Sequence, residues 1–105
     1  MIRVTQPEAH VYACLARQPR WLTNLDIAAD TGLTQRTVRS KTRHLYALGL
    51  LDRADSLFPS YGYRITEPTT EAQAAYRRQL EEAGVIYRQM AEREKTVLSG
   101  QAEGM

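Results

Sequence analysis

The sequence contains one cysteine, Cys14, and lacks any run of about 18 consecutive apolar residues, the length at which a membrane-spanning helix becomes a candidate. A single thiol cannot form a disulfide within the chain, which favours a reducing compartment. The first residues also lack the apolar stretch of a secretory signal peptide. We therefore expect a cytoplasmic protein that does not bind a membrane.

The chain also lacks the patterns that carry catalysis or metal binding. It has no glycine-rich phosphate loop, and its serines, histidines and cysteine match no nucleophile motif. His10 and Cys14 are spaced to share one helix face, but two ligands are too few for a metal site, and His44 is the only further candidate. We therefore predict no enzyme activity, no cofactor and no bound metal.

Acidic residues are absent from Thr34 to Leu48, a segment with three arginines, one lysine and one histidine. The whole chain has a net charge of only +2, but this charge is unevenly spread. Residues 1–65 carry nine Lys/Arg against five Asp/Glu, a balance of +4, whereas residues 66–105 carry five against seven, a balance of −2. A basic segment that contains the predicted binding helix, followed by a segment with little net charge, is typical of a domain that binds phosphate groups.

Two helices separated by a tight turn are predicted between residues 23 and 49. Thr23 can cap the first helix, and Asp26 follows at the position that completes a capping box. Gly32 lies where the chain must turn, and glycine adopts a positive φ without steric cost. Thr34 is then a suitable cap for the second helix, which Gly49 ends.

The second helix has two chemically different faces. Its apolar positions follow a 3.6-residue period and are Leu33, Val38, Leu45 and Leu48. Its polar face follows an i, i+3, i+4, i+7 spacing and contains Arg36, Arg39, Ser40 and Arg43. We expect the first face to pack against a hydrophobic core and the second to face a negatively charged, grooved partner.

This segment resembles the helix-turn-helix of DNA-binding regulators. The matching residues are Ile27, Ala28, Gly32, Leu33 and Val38. The resemblance implies that the second helix enters the major groove with its early residues at the base edges. The sequence departs from the pattern at Lys41 and Thr42, where an aliphatic residue is usual, and we expect Thr42 to face inward with its hydroxyl bonded to a helix carbonyl. The alternative is a helical hairpin with a solvated basic face.

The flanking segments predict one more helix and a β-hairpin. The first helix spans residues 5–18, with a capping box formed by Thr5 and Glu8, and Pro19 ends it. The extended segments are a candidate minor strand at 20–22 and two strands at 50–53 and 61–66. A two-stranded hairpin directly after the second helix is the arrangement called a wing.

This order of elements resembles the winged helix-turn-helix regulators of the MarR and PadR type. Segments 48–53 and 63–66 are similar to those that bracket the wing in these families, and the resemblance covers about residues 5–66. The predicted fold class is therefore mainly α with a small β-hairpin wing (α+β), followed by a long C-terminal helix. The wing tip, residues 56–60, carries no cation. We therefore expect the wing to contact phosphate through its hydroxyls or through Arg53 and Arg64 at its base, or to pack Phe58 against protein.

Residues 70–98 contain no proline and many good helix formers, which predicts one long helix capped by Thr70 with Gln73. A heptad-like spacing places these residues on one face: Tyr76, Leu80, Ala83, Tyr87, Met90 and Val97. We expect this face to form a dimer interface as a coiled-coil seam, and the alternative is a helix folded back on its own domain. The predicted organisation is a winged helix-turn-helix domain at 1–66, a dimerisation helix at 67–98 and a disordered tail at 99–105.

A dimer of such domains presents two second helices related by a twofold axis, which suits an inverted repeat with half-sites about 10 base pairs apart. The candidate DNA-binding residues are Thr34, Gln35, Arg36, Thr37, Arg39, Ser40, Arg43, Arg53 and Arg64. We predict sequence-specific binding of double-stranded DNA by a nucleoid-associated homodimer, with transcriptional repression as the first hypothesis.

Other functions stay open at this point. A plasmid or phage partition or replication protein would use the same DNA surface at repeated sites, and a winged-helix protein-interaction module would not need DNA. A small-molecule effector is also open, with four candidate pocket residues: Tyr61, Tyr63, Tyr76 and Tyr87.

Overall fold

The computed structural model describes residues 4–55 and 61–103, with side chains as far as Glu94. The described residues form four α-helices and three short β-strands. Their order is α1 (Gln6–Arg17), β1 (Leu22–Thr23), α2 (Asn24–Thr31), α3 (Gln35–Ala47), β2 (Leu51–Ala54), β3 (Gly62–Ile65) and α4 (Glu71–Glu103). The predicted fold class, mainly helical with a small β-hairpin wing and a long C-terminal helix, is confirmed.

The three strands form one antiparallel sheet in the order β1-β3-β2. Leu22 of β1 pairs with Tyr63 of β3, and every residue of β2 pairs with β3. The minor strand predicted at 20–22 is therefore present, although it begins later, at Leu22. The wing tip at 56–60 lies outside the described residues, so the predictions made for it stay predictions.

The helix-turn-helix forms as its capping residues predict. Thr23 Oγ1 accepts a hydrogen bond from the Asp26 backbone N–H (3.1 Å), and the Asp26 carboxylate accepts one from the Thr23 N–H (3.0 Å). Gly32 follows α2 with a φ of 77°, in the left-handed region that favours glycine. Thr34 Oγ1 accepts a hydrogen bond from the Thr37 N–H (3.2 Å) and caps α3. The second helix is thus set at a fixed angle to the first by local chemistry.

The start of α1 differs from the prediction. Thr5 is its N-cap residue but makes no side-chain capping bond, so the predicted capping box with Glu8 is wrong. The Glu8 carboxylate instead turns into the protein, where it meets His44 of α3 and Tyr76 of α4. Two side-chain partners from neighbouring helices replace the single backbone N–H that a capping box offers.

The apolar faces of the helices and strands converge on one hydrophobic core. The buried apolar residues are Val4, Ala9, Val11, Tyr12, Cys14, Leu15, Leu22, Ile27, Val38, Leu45, Leu50, Leu51, Tyr63, Leu80 and Ala83. Leu33 and Leu48 pack against this core from the two ends of α3. The apolar face predicted for the second helix is therefore confirmed, and it determines which side of α3 is left to the solvent.

Thr42 occupies the inward position on α3 where the sequence departs from the helix-turn-helix pattern. It is fully buried, and its hydroxyl lies 3.2 Å from the Arg39 carbonyl oxygen, which confirms the predicted bond to a helix carbonyl. The same hydroxyl lies 2.8 Å from the side-chain oxygen of Asn24, the first residue of α2. A polar contact therefore joins α2 and α3 at a position where an aliphatic residue would contribute packing alone.

The first half of α4 packs along α1. Leu80 and Ala83 are buried in the core of the winged helix. Tyr87 donates its hydroxyl to the Val4 carbonyl oxygen (3.2 Å), and Tyr76 reaches α1 through its own hydroxyl. These four of the six residues predicted for a dimer seam therefore contact their own chain, because α1 offers the nearest apolar surface. Their part in dimerisation stays a prediction.

The second half of α4 continues past this contact. Met90 is 54% exposed, and residues 91–94 are exposed as well. Val97, the sixth predicted seam residue, has a side chain outside the described part of the chain. The helix runs to Glu103, beyond the predicted end at Leu98, because Ser99 and Gly100 do not stop it and helix-forming residues follow. The tail predicted to be disordered is thus helical as far as it is described.

Candidate nucleic-acid interface

The outer side of α3 forms the candidate interface. Val38, Thr42 and Leu45 fix the inner side of this helix in the core, so the opposite side faces outward. That side borders a shallow depression of about 460 Å³, lined by Arg36, Arg39, Ser40, Arg43, His44 and Ala47. The structure therefore brings together the four polar residues predicted from their helical spacing, and it adds His44 to them.

The arginines of this face have no anionic partner among the residues that the structure describes. Within the described part of the chain, Arg36, Arg39 and Arg43 form no ion pair. Elsewhere Arg17 pairs with an acid on α2 (2.9 Å), and Arg77 pairs with one before α4 (3.1 Å). An arginine without an acidic partner keeps its charge and its planar set of N–H donors for a phosphate or a guanine edge.

The first turn of α3 holds three further predicted residues. The Thr34 hydroxyl is committed to the helix, since it accepts from the Thr37 N–H and donates to Thr37 Oγ1 (3.0 Å). The Thr37 hydroxyl accepts that bond, so its own proton is left for an outside acceptor. Gln35 is exposed. The structure thus gives Thr34 a capping role and leaves Gln35 and Thr37 as the candidate contacts, at a helix end that favours anions.

The two arginines at the base of the wing are held by aromatic rings. The Arg53 guanidinium lies between Tyr46 and Tyr61, 4.5 Å and 4.3 Å from their ring centres. The Arg64 guanidinium lies 4.3 Å from the centre of the Trp21 ring. A ring face attracts a cation without neutralising its charge. The rings therefore hold Arg53 and Arg64 in place without neutralising them, and Arg53 Nε also lies 3.7 Å from the Asp55 carboxylate. Trp21 packs against Arg64.

A cluster behind α3 was not predicted from the sequence. His44 Nδ1 lies 2.6 Å from Glu8 Oε1, and Glu8 Oε2 accepts a hydrogen bond from the Tyr76 hydroxyl (2.9 Å). Burial, together with the hydrogen bond to Glu8, raises the pKa of Tyr76, so its hydroxyl stays a donor. The two contacts join residues 36 and 68 positions apart in the sequence, so no local motif could reveal the cluster.

A second concave surface lies between α1, the end of α2 and α4. It is an open groove of about 510 Å³, and Tyr87 lines it together with His10 and Val85. The other tyrosines considered for an effector pocket have different surroundings. Tyr63 is buried in the core. The Tyr61 ring lies against the Arg53 guanidinium, and the Tyr76 hydroxyl donates a hydrogen bond to Glu8. The four tyrosines therefore do not share one pocket.

Cys14 is an inert part of the core. It is fully buried, and burial together with the neighbouring Asp30 raises the pKa of its thiol to about 12. Over the described ranges there is no group of three or more His, Cys, Asp or Glu side chains suited to a metal ion. The same ranges contain no helix with the length and apolar character needed to cross a bilayer.

Comparison with known proteins identifies the fold. No protein family and no curated protein matches the sequence. Among solved structures, the chain matches a MarR-family transcriptional regulator from Rhodococcus sp. RHA1 over 97% of its own length and 76% of that chain, with a TM-score of 0.59 and 15% identity. It matches MepR, a transcription regulator of the Staphylococcus aureus multidrug efflux pump MepA, over 97% of its length and 80% of that chain (TM-score 0.57, 21% identity).

A third match is a mutant of Lactococcus lactis ZitR solved in complex with DNA. It covers 99% of this chain and 74% of that one, with a TM-score of 0.57 and 17% identity. The class defined by these matches and by the observed elements is the winged helix-turn-helix. More particularly, the chain has the fold of MarR-family transcriptional regulators, including the long helix after the wing.

Proposed function

We propose that the chain binds double-stranded DNA sequence-specifically as a homodimer and represses transcription by occupying an inverted-repeat operator. The observation that carries this proposal is the outer face of α3, where Arg36, Arg39 and Arg43 are exposed and form no ion pair with any described residue. This face belongs to the second helix of a helix-turn-helix, the element that enters the major groove in DNA-binding proteins of this fold. The ZitR mutant, which shares the fold, was solved in complex with DNA, and this supports DNA as the partner of the present chain.

The second half of α4 is the proposed contact with a second copy of the chain. A helix of 33 residues spans about 50 Å, whereas α1, with 12 residues, spans about 18 Å and cannot cover it. Met90 is 54% exposed, so apolar surface continues past Tyr87, where the intrachain contact ends. A twofold pair of chains joined there carries two α3 helices, which is what an inverted repeat requires.

Selection of genomic fragments by the purified protein, followed by footprinting, tests the function directly. We expect an enriched inverted repeat with half-sites about one helical turn, roughly 10 base pairs, apart. Affinity should decrease steeply with salt concentration, because each neutralised phosphate releases counterions. Binding that is absent, or that does not respond to salt, would contradict the proposal. A tandem array of sites with spreading protection would favour the partition role instead.

Sedimentation at micromolar protein concentration tests the dimer. The wild-type chain should sediment with the mass of two copies, and Met90→Glu should shift it towards one copy because it places a charge in an apolar contact. Gln89→Glu is the matched control, since it adds the same charge at the neighbouring exposed position of α4. A wild-type chain with the mass of a single copy would contradict the proposed dimer and would leave the proposed DNA-binding role of the α3 face unaffected.

A further inference from the structure

The cluster of Glu8, His44 and Tyr76 joins the DNA-facing helix to the two helices behind it. Glu8 on α1 is only 4% exposed, yet both of its carboxylate oxygens have partners. One oxygen lies 2.6 Å from His44 Nδ1 on α3, and the other accepts the Tyr76 hydroxyl of α4 at 2.9 Å. A buried carboxylate is costly unless it is paired and hydrogen-bonded, so these two contacts keep it in place.

His44 belongs to both the buried cluster and the basic face. Its side chain is 52% exposed, and it lines the same depression as Arg36, Arg39 and Arg43. Because Nδ1 faces a carboxylate oxygen that can only accept, Nδ1 carries the proton in this contact. The protonation of the other ring nitrogen, Nε2, then determines whether His44 can bind a phosphate oxygen. In the neutral ring it is an acceptor, which repels a phosphate oxygen, and in the charged ring it is a donor, which binds one.

We propose that His44 is a DNA-backbone contact that binds phosphate as an imidazolium, with Glu8 as the residue that positions it and Tyr76 as the residue that holds Glu8. This inference rests on the proposed DNA-binding function and deepens it by naming a residue outside the arginine set. DNA binding by the chain is then coupled to proton uptake, with one proton for each His44 that contacts a phosphate.

The charges around His44 determine the direction of the effect. From α1 it faces the Glu8 carboxylate, and from α4 it faces the edge-on ring of Tyr76, with the ring centres 6.1 Å apart. From its own helix it shares the depression with Arg36, Arg39 and Arg43, which oppose a further positive charge. A DNA phosphate that approaches His44 adds a negative charge, which favours the charged form of the ring over the neutral form. Affinity should therefore rise as the pH falls, because the charged ring donates a hydrogen bond to phosphate and the neutral ring does not.

The test compares the DNA affinity of full-length variants across pH at constant ionic strength, using the selected operator. The chain has two histidines, which supplies a matched control: His10→Gln changes the histidine of the α1 groove and leaves α3 untouched. We expect wild type and His10→Gln to bind about 100-fold more tightly near pH 6 than near pH 8, because the dimer has two His44 contacts and each contributes about ten-fold, the size of one charge-assisted hydrogen bond. His44→Gln should bind with an affinity that does not change over this range.

Glu8→Gln separates a positioning role from a merely structural one. Removing the carboxylate makes the charged ring harder to form, so the pH profile of DNA binding should move towards lower pH. A variant that only disturbed the fold would lose affinity equally at every pH. Calorimetry in buffers of different ionisation enthalpy should also detect proton uptake with wild type and not with His44→Gln.

The outcomes distinguish this inference from the proposed function. If wild type binds tightly and in a salt-dependent way but with no pH dependence, or if His44→Gln keeps the wild-type pH profile, the role of His44 is wrong and the function stands. If no variant binds DNA at any pH, both are wrong. Should Glu8→Gln fail to fold, the half-exposed His44→Gln still decides the question.

Discussion

Two helices of this molecule carry a predicted binding face: a basic stripe on α3 for DNA and an apolar stripe on α4 for a second copy of the chain. In the structure, only the basic stripe is left fully exposed. The basic stripe of α3 stays exposed, with its arginines unpaired among the described residues. The apolar stripe of α4 is largely covered by its own α1, with Leu80 and Ala83 in the core. A charged stripe cannot be buried without acids to pair with it, whereas an apolar stripe packs on the nearest apolar surface.

The largest expected effect concerns the stripe of α3. The double variant Arg36→Ala and Arg39→Ala should lower operator affinity by about 100-fold or more, because each lost arginine contact costs about 1–3 kcal/mol. Its free energy of unfolding should stay within about 0.5 kcal/mol of wild type, since both side chains are exposed. Fluorescence anisotropy with labelled operator and urea denaturation provide the two measurements.

Arg78→Ala is the control for that experiment, compared with each α3 substitution made singly. It removes one positive charge from an exposed position on α4, as Arg36→Ala or Arg39→Ala removes one from α3, and it should change operator affinity only slightly. Equal losses from a single α3 variant and from Arg78→Ala would mean that only net charge matters. The outer face of α3 would then no longer be the specific interface.

The next effect concerns the stripe of α4. Leu80→Ala should lower the free energy of unfolding by about 2–5 kcal/mol, as expected for a leucine that is 1% exposed. Met90→Ala, about three turns further along the same helix and 54% exposed, should change the stability of the single chain by about 0.5 kcal/mol or less. Urea denaturation at several protein concentrations separates chain stability from dimer stability.

The contrast between the two stripes would be contradicted if Leu80→Ala affected dimerisation and not the stability of the single chain. A Leu80→Ala chain with unchanged stability but weaker dimerisation would mean that the first half of α4 contacts a partner chain and not α1. If the second half of α4 is the dimer contact, Met90→Ala should instead lower the denaturation midpoint of the dimer and make it less dependent on protein concentration, because a chain that no longer dimerises unfolds independently of concentration.

The sequence predicts best what local chemistry controls. The caps at Thr23 and Thr34, the turn at Gly32 and the inward hydroxyl of Thr42 depend on residues within one or two turns of each other, and the structure has all of them. The exposed arginine stripe was predictable for a related reason, because helical spacing fixes which residues share a face.

Long-range partners were not predictable in this way. From the sequence, the nearest partner for the Glu8 carboxylate was the backbone N–H of Thr5 in a capping box. His44 and Tyr76, which bind the carboxylate in the structure, come close to it only in the folded chain. One signal was present: Glu8 lies on the apolar stripe of α1, at helical spacing from Val11 and Leu15. An acid on an apolar stripe is buried when that stripe packs, so it needs a partner from another element.

The smallest expected effect concerns the arginines of the wing, which differ from those of α3 because aromatic rings already hold them. Tyr46→Leu should weaken operator binding by about three-fold, which corresponds to the 0.5–1 kcal/mol of an exposed cation–π contact. The loss arises because the Arg53 guanidinium, 4.5 Å from the Tyr46 ring centre, is no longer held on that side. In the part of the chain that the structure describes, only the Tyr61 ring and the Asp55 carboxylate, which already lies 3.7 Å from Arg53 Nε, then hold the guanidinium.

A double-mutant cycle shows whether Tyr46 acts through Arg53. In an Arg53→Ala background, Tyr46→Leu should cause no further loss of affinity, because the side chain that it positions is gone. An equal loss in both backgrounds would mean that Tyr46 contacts DNA itself. Tyr46 would then be a further DNA contact of α3, and the contrast between held and free arginines would not extend to binding.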